Sequence, residues 1–312
     1  MNKLISIVVP CYNEEEVINT FHDRLVNSIF KVNYDFEIIY ISDGSSDRTE
    51  EYIRAFIGNK SHQNIKTKLI IFSRNFGHQI AVTAGIDDAI GDAVILIDAD
   101  LQDPPELIPM FIKEWNKGFQ IIYGKRKKRK GESRFKLLSA KYFYKLLSYL
   151  SNVDIPVDTG DFRLMDKSVV LAIKKMPEKD RFLRGMIAWT GYSQVPFEYD
   201  RDKRYAGESK YPLYKMIKFA SDGILSFSIK PLRLSTFIGL FCSLLSLVGI
   251  VYALIMWVYG SPVRGWTLIF ISILFFSGVQ LVSLGIIGEY IGRIFEQAKN
   301  RPLYVIKDKA GF

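Results

Sequence analysis

The chain has 312 residues, 48% hydrophobic and 24% charged, with a formal net charge of +9. This balance excludes a disordered chain and one wholly embedded in a membrane, and leaves room for one large domain or two smaller ones. The basic excess points to polyanionic partners: nucleic acid, an anionic membrane surface or phosphorylated small molecules.

The N-terminal run "LISIVVP" (4–10) is too short for a signal-peptide core and has no small-residue cleavage site, so the first domain is expected to stay in the cytoplasm. That run and "FEIIYISDG" (36–44), "KLIIFS" (68–73), "AVILIDAD" (93–100) and "FQIIYG" (119–124) read as strands: short, β-branched, and ended by Gly, Pro, Asp or Asn. Amphipathic stretches at 14–30 and 48–58 lie between them. Near-continuous apolar strands separated by helices predict a mostly parallel α/β sheet covered on both faces. Ligands in such sheets bind beyond the carboxyl ends of the strands.

Polar residues gather at those ends: Pro10 to Glu14, Asp43 to Asp47, Ser73 to Asn75, and Asp98 to Asp100. Residues i and i+2 of a strand share a face, so Asp98 and Asp100 are expected to aim at one spot. Two carboxylates about 4 Å apart repel by roughly 1 kcal/mol even in water, so the pair is either protonated or bridged by a cation. Oxygen ligands suit Mg²⁺ or Mn²⁺ gripping a nucleotide diphosphate. Glu14 and Asp43 are placed to accept hydrogen bonds from a base or ribose, and Arg74 offers a planar fork to a phosphate or carbonyl. Neither a dinucleotide-binding glycine pattern nor a P-loop follows the first strand. His22, His62 and His78 have no zinc spacing, and Cys11 and Cys242 read as reduced packing residues.

Further along, "KRKKRK" (125–130) is a basic patch, read as facing anionic headgroups and lipid phosphate rather than nucleic acid. Basic amphipathic stretches at 135–150 and 211–227 are candidates for the headgroup plane. Residues 234–259 and 266–288 carry no charge and are each long enough to cross a bilayer. Tyr252, Trp257, Tyr259 and Trp266 surround their connection, as an interface belt would. Lys230 and Arg233 precede the pair, Arg293, Lys299 and Arg301 follow it, and the loop has Arg264 alone, which predicts both termini on the cytoplasmic side.

The stretches "SIVVPCYNEEE", "ISDGSSDRT", "SRNFGHQIAVTAGIDDAIGDAVILIDADLQDPPE", "DTGDFRLMD" and "RFLRGMIAWTG", with the tail "GEYIGRIFEQAKNRPLYVI", resemble in order the motifs of family 2 inverting glycosyltransferases. The nearer resemblance is to the polyprenyl-phosphate group, typified by bactoprenol glucosyltransferase and dolichol-phosphate mannose synthase. It covers nearly the whole chain. It implies a GT-A type nucleotide-sugar-binding fold followed by a two-helix transmembrane hairpin. The implied division is a cytoplasmic catalytic domain at 1–210, a juxtamembrane segment at 211–230, the hairpin at 231–290 and a cytoplasmic tail at 291–312. Pro10, Tyr12, Glu14 and Asp43 would contact uracil and ribose, Asp98 and Asp100 would hold Mg²⁺ or Mn²⁺ with Gln102 beside them, and Arg74 would serve the donor.

On the acceptor side the resemblance points to Asp161, followed by Arg163, and to Lys136 and Ser139 near Arg126 for the lipid phosphate. Asp161 is open between a base, an orienting group and a partner for Arg163. An anionic acceptor beside a diphosphate needs cations, and Arg126, Arg134, Lys136, Arg201, Arg204 and Lys210 supply them. The implied reaction moves one sugar from UDP-glucose to undecaprenyl or another polyprenyl phosphate on the cytoplasmic face of the cell membrane. GDP-mannose, UDP-galactose and UDP-N-acetylglucosamine stay open as donors. Partners are the bilayer, with a homo-oligomer and a flippase for the product as further candidates and nucleic acid not expected. The rivals are a processive polysaccharide synthase, whose Gln-x-x-Arg-Trp motif is missing, and a non-catalytic basic protein of the membrane surface.

Overall fold

The computed structural model describes residues 3–58, 63–126, 159–200, 230–259 and 265–312. Among these, the residues up to 200 and Pro302–Phe312 form one unit, and those from 230 to Arg301 form another.

The first unit is built on an eight-stranded sheet. Its described elements are β1 (Leu4–Cys11), α1 (Ile18–Ile29), β2 (Asp35–Ser42), α2 (Thr49–Gly58), β3 (Ile65–Phe72), α3 (His78–Asp88), β4 (Ala93–Leu96), a 3₁₀ turn (Pro105–Leu107), α4 (Ile108–Asn116), β5 (Ile121–Arg126), β6 (Thr159–Asp166), α5 (Lys167–Lys174), α6 (Leu183–Trp189), β7 (Gln194–Tyr199) and, at the chain's far end, β8 (Ile306–Ala310). The strand order is β7-β5-β6-β4-β1-β2-β3-β8. β4, β1, β2 and β3 run parallel, β6 is antiparallel to both neighbours, and β8 is antiparallel to β3.

Both faces of this sheet are covered, which is why β1 and β2 are apolar at nearly every position rather than at alternate ones. On one face, α1 buries Ile18, Phe21, Leu25 and Ile29, a helical stripe. On the other, α3 buries six consecutive residues, Ala81 to Ile86, so it has no polar side. It lies unusually close to the sheet: a Cβ on Gly85 would sit 2.2 Å from Val8 Cγ1. A buried carboxylate, Glu37, pins the turn after α3 by accepting from the Ile90 amide (2.9 Å), Lys68 Nζ (2.7 Å) and the Ser6 hydroxyl. α3 therefore enters the carboxyl rim of the sheet at a fixed height, with His78 first.

Two readings of the sequence change here. The strand expected over 93–100 stops at Leu96, and Asp98 and Asp100 lie on a turn instead. The Asp100 carboxylate accepts from the Gln102 amide (3.1 Å), and Leu101 takes φ +57°, so local side-chain bonding ends the ladder. Part of the stretch read as a tail, 291–312, is structured: β8 pairs with the β3 edge.

The second unit is a pair of helices, α7 (Lys230–Val258) and α8 (Trp266–Ala298). Within them, Leu232–Met256 and Ile271–Ala298 are long and apolar enough to cross a membrane, and next to none of either stretch is buried by protein. Large side chains such as Phe237, Leu247, Leu281 and Val282 are exposed. Long apolar helix surfaces that the described residues leave almost uncovered are suited to lipid as their solvent.

Candidate active site

A cleft of about 440 Å³ opens at the carboxyl rim where β1, β2, β4 and the start of α3 meet. Pro10, Tyr12 and Glu14 line it from the end of β1, Asp43 from β2, Asn75, Gly77 and His78 from the α3 approach, and Asp98 and Asp100 from the turn after β4. The Tyr12 ring is half exposed at its mouth. Beside it, Asn13 takes φ +55° and its side-chain oxygen accepts from the Ser46 amide (2.8 Å), which ties the β1 end to the β2 end. The Glu14 amide donates to Thr49 Oγ1 at 2.8 Å.

Asp43 is buried and accepts from the Phe76 amide at 2.6 Å and the Gly77 amide at 2.9 Å. Burial pushes its carboxyl up from the ordinary value, and those two amides oppose the rise. Its visible work is to shape the loop that enters α3, an anchoring role the sequence did not suggest. Gly44, at φ +69°, lets that loop approach: an added Cβ would stand 2.6 Å from the Arg74 carbonyl carbon. Arg74 stacks its guanidinium over Phe76 at 4.0 Å and donates to the Asn75 carbonyl at 3.0 Å. Neither Arg74 nor Gln102 is among the residues lining the cleft. Asp103, the third acid of "DADLQD", is buried and takes the Tyr199 hydroxyl, so it fastens the turn to β7.

Across the rim stands Asp161, near the start of β6. Its Oδ1 accepts from Arg184 Nε at 2.8 Å, and its Oδ2 lies 3.0 Å from His78 Nε2. Gln79 Nε2 reaches the same oxygen at 3.5 Å, and its own Oε1 accepts from the Leu183 amide at 3.2 Å. The same His78 nitrogen is 3.7 Å from Asp98 Oδ1. One imidazole thus links the acid of the β4 turn to the acid of β6.

The charges follow from that geometry. Burial alone would lower His78, but Asp98 and the bond to Asp161 lift it to about 9. Burial, with Asp161 and Asp100 nearby, raises Asp98 to about 6 despite His78. Burial would raise Asp161 too, yet Arg184 and His78 hold it well below the usual carboxylate range. Arg163 does not pair with the Asp161 carboxylate. Its Nε meets the Asp161 carbonyl at 3.3 Å and its Nη2 the Gly160 carbonyl at 2.9 Å, so it braces the β6 backbone from within. Burial lowers it to about 10, and it stays cationic at neutral pH.

Residues 6–173 match the glycosyl transferase family 2 domain, and residues 230–294 match the GtrB C-terminal hairpin. The chain belongs to glycosyl transferase family 2. This glycosyltransferase has the mostly parallel sheet and the two apolar C-terminal helices expected of it. It is 48% identical over 310 residues to the uncharacterized glycosyltransferase YkcC of Bacillus subtilis, covering 98% of this chain and 94% of that protein. The SfII prophage-derived bactoprenol glucosyl transferase of Shigella flexneri is 44% identical over 307 residues, 97% of each chain. A prophage bactoprenol glucosyl transferase homolog of Escherichia coli is 41% identical, covering 97% of this chain and 98% of its own.

Of the transferase's expected donor residues, Pro10, Tyr12, Glu14, Asp43, Asp98 and Asp100 come together in one cleft. Arg134, Lys136, Ser139, Arg201, Arg204 and Lys210 lie outside the described residues, and Arg126 is described only as the last backbone position of β5. His78, Gln79 and Arg184 were assigned no role from sequence. The sequence around His78 shows only that it lacks a zinc spacing, and its partner Asp161 is 83 residues away. Among the described residues no group of three or more metal-binding side chains occurs. The two-carboxylate, all-oxygen set of Asp98 and Asp100 nevertheless fits Mg²⁺ or Mn²⁺, which hard-ion sites commonly complete with substrate phosphates and water.

Proposed function

We propose that the protein transfers one glucosyl group from UDP-glucose to the phosphate of a polyprenyl phosphate, with inversion at the anomeric carbon. The observation that carries this is the state of Asp161. Arg184 and His78 each occupy one of its oxygens, so it is an ionised, doubly bonded anchor with no free basicity. A hydroxyl acceptor would need a base to take its proton. A phosphate monoester needs none, since with a second pKa of about 6 it arrives largely dianionic. An acceptor-side acid engaged through both of its oxygens suits an acceptor that is already charged. The relatives named bactoprenol glucosyl transferase support both the lipid phosphate and the glucose.

Within this reading, Tyr12 presents its ring to the base, and Glu14 with Pro10 lines the nucleoside pocket. Asp98 and Asp100 would hold Mg²⁺ or Mn²⁺, which neutralises charge gathering on the departing diphosphate. Asp161 orients His78 and Arg184 toward the space where donor and acceptor meet, and those two groups offset the charge of the incoming phosphate. Arg126, Arg134, Lys136, Ser139, Arg201, Arg204 and Lys210 remain the proposed lipid-phosphate contacts, on sequence grounds. α7 and α8 form the membrane anchor, with the catalytic unit and both termini on the cytoplasmic side, where Lys230, Arg233, Arg293, Lys299 and Arg301 flank the spans.

The test incubates the purified full chain in detergent with radiolabelled nucleotide sugars, Mg²⁺ or Mn²⁺, and either undecaprenyl phosphate or undecaprenol. The expected product is a lipid carrying a single glucose, formed from UDP-glucose and only on the phosphorylated lipid. Transfer to undecaprenol, or chains of several sugars, would overturn the reading.

A further inference from the structure

The chain re-enters the first unit after α8, and what it does there is not explained by sheet closure alone. From Pro302 onward it lies along the β3 edge, with Leu69 facing Ala310, Ile70 facing Lys309 and Ile71 facing Asp308. The register shifts at Phe72, beside which the Val305 carbonyl accepts from the Ser73 amide at 3.0 Å. Tyr304 stacks on Phe72, ring centres 5.1 Å apart at 18°, and Phe72 meets Phe76 edge-on at 5.6 Å. Phe76 is the residue whose amide Asp43 holds. At the opposite end of α3, the Tyr304 hydroxyl donates to Asp87 Oδ2 (3.1 Å) and Lys309 Nζ to Asp88 Oδ2 (2.6 Å).

One short segment therefore grips both ends of residues 72–88. Between the two grips lie Asn75, Gly77 and His78, which line the cleft, and Gln79, which reaches Asp161. The contacts are unlike those of a passive edge cover. The tyrosine spends its ring on the loop side and its hydroxyl on the far end of the helix, so it fixes α3 lengthwise. Burial and the neighbouring Asp87 push the Tyr304 hydroxyl well above its ordinary value, so it remains a neutral donor to that carboxylate.

We propose that residues 302–312 are a strap that sets the position of α3 and its entry loop in the cleft, with Tyr304 as the principal positioning residue. The proposal rests on the transferase reading only for its nucleotide readout. Tyr304→Ala removes the stack and the hydroxyl; Tyr304→Phe keeps the stack; Asp87→Asn disturbs only the far grip.

The full chain in detergent is followed by amide hydrogen exchange, by UDP binding in Mn²⁺, and by melting temperature. In Tyr304→Ala the Phe76 and Gly77 amides should exchange roughly tenfold faster relative to β1 amides, a local opening made easier by about 1.4 kcal/mol. UDP should bind about tenfold more weakly on the same scale. Tyr304→Phe and Asp87→Asn should show about two- to threefold changes, the size of a lost or weakened hydrogen bond. A merely structural strap would lower the melting temperature and speed exchange at β1, Phe76 and Gly77 alike, and that result overturns the proposal. So does an unchanged exchange ratio in Tyr304→Ala. Failure of the wild type to bind UDP would undo the transferase reading, and the exchange ratio would still decide the strap.

Discussion

On the donor side of the cleft, side chains find their partners close by in sequence or on the next strand. Asp100 bonds an amide two residues on, and Asn13 reaches from the β1 end to Ser46 after β2. On the opposite side, Asp161 takes its partners from 83 and 23 residues away, on α3 and α6. The first arrangement is a set of self-supporting turns. The second is a balance of buried charges that exists only when three elements are packed together. Loss on the donor side should thus remove a chemical function while sparing the fold, whereas loss on the other side should disturb chemistry and stability jointly.

Asp98→Ala and Asp100→Ala test the donor side most severely. Each should cut turnover by on the order of 10³-fold or more, roughly 4 kcal/mol of lost charge stabilisation. The melting temperature should hardly move for Asp100→Ala, which is only partly buried, and somewhat more for Asp98→Ala, which also takes one of its two acids from His78. A variant retaining a tenth of wild-type activity would break the comparison.

Next come Asp161→Asn and Arg184→Ala. Removing one member of a buried pair costs about 3–5 kcal/mol because it strands the other, so both the melting temperature and kcat should drop. The double variant should be less damaged than the sum of the singles, with a coupling of about 0.5–3 kcal/mol. Strict additivity in melting temperature and kcat would mean the two groups do not work as a unit.

Asp43→Asn gives a smaller effect. It weakens the grip on the Phe76 and Gly77 amides, and a charged acceptor exceeds a neutral one by about 1–2 kcal/mol. The donor KM should rise about tenfold with kcat little changed.

The smallest effect is a pH dependence of stability, read by melting in EDTA. The Asp161 carboxyl is depressed in the folded protein. Its contribution is present above the unfolded value near 3.8 and is lost as the pH falls through the lower folded value. Asp161→Asn should flatten that acid limb.

Legibility divided along the same line. The strands of the rim could be read from their apolar runs, and Pro10, Tyr12, Glu14, Asp43, Asp98 and Asp100 from the polar residues that end them. "AVILIDAD" is apolar enough to predict a strand continuing through Asp98 and Asp100; the bond from the Gln102 amide to Asp100 makes it a turn. A pairing with Arg163 is one of the three roles the sequence leaves open for Asp161, and the Arg163 guanidinium turns back to backbone carbonyls instead. The apolar stretches of α7 and α8 were visible because nothing but length and composition was needed.

By itself the sequence determined the alternating α/β order, the acidic strand ends and the two long apolar helices, because each depends on hydrophobic periodicity or on residues within one turn of each other. Tertiary structure alone decided that His78 bridges Asp98 and Asp161, that Asp43 anchors a loop, and that the last residues clamp α3. Those outcomes follow from strand order, which brings together groups tens or hundreds of residues apart, and from burial, which makes each unpaired charge costly enough to select its partner.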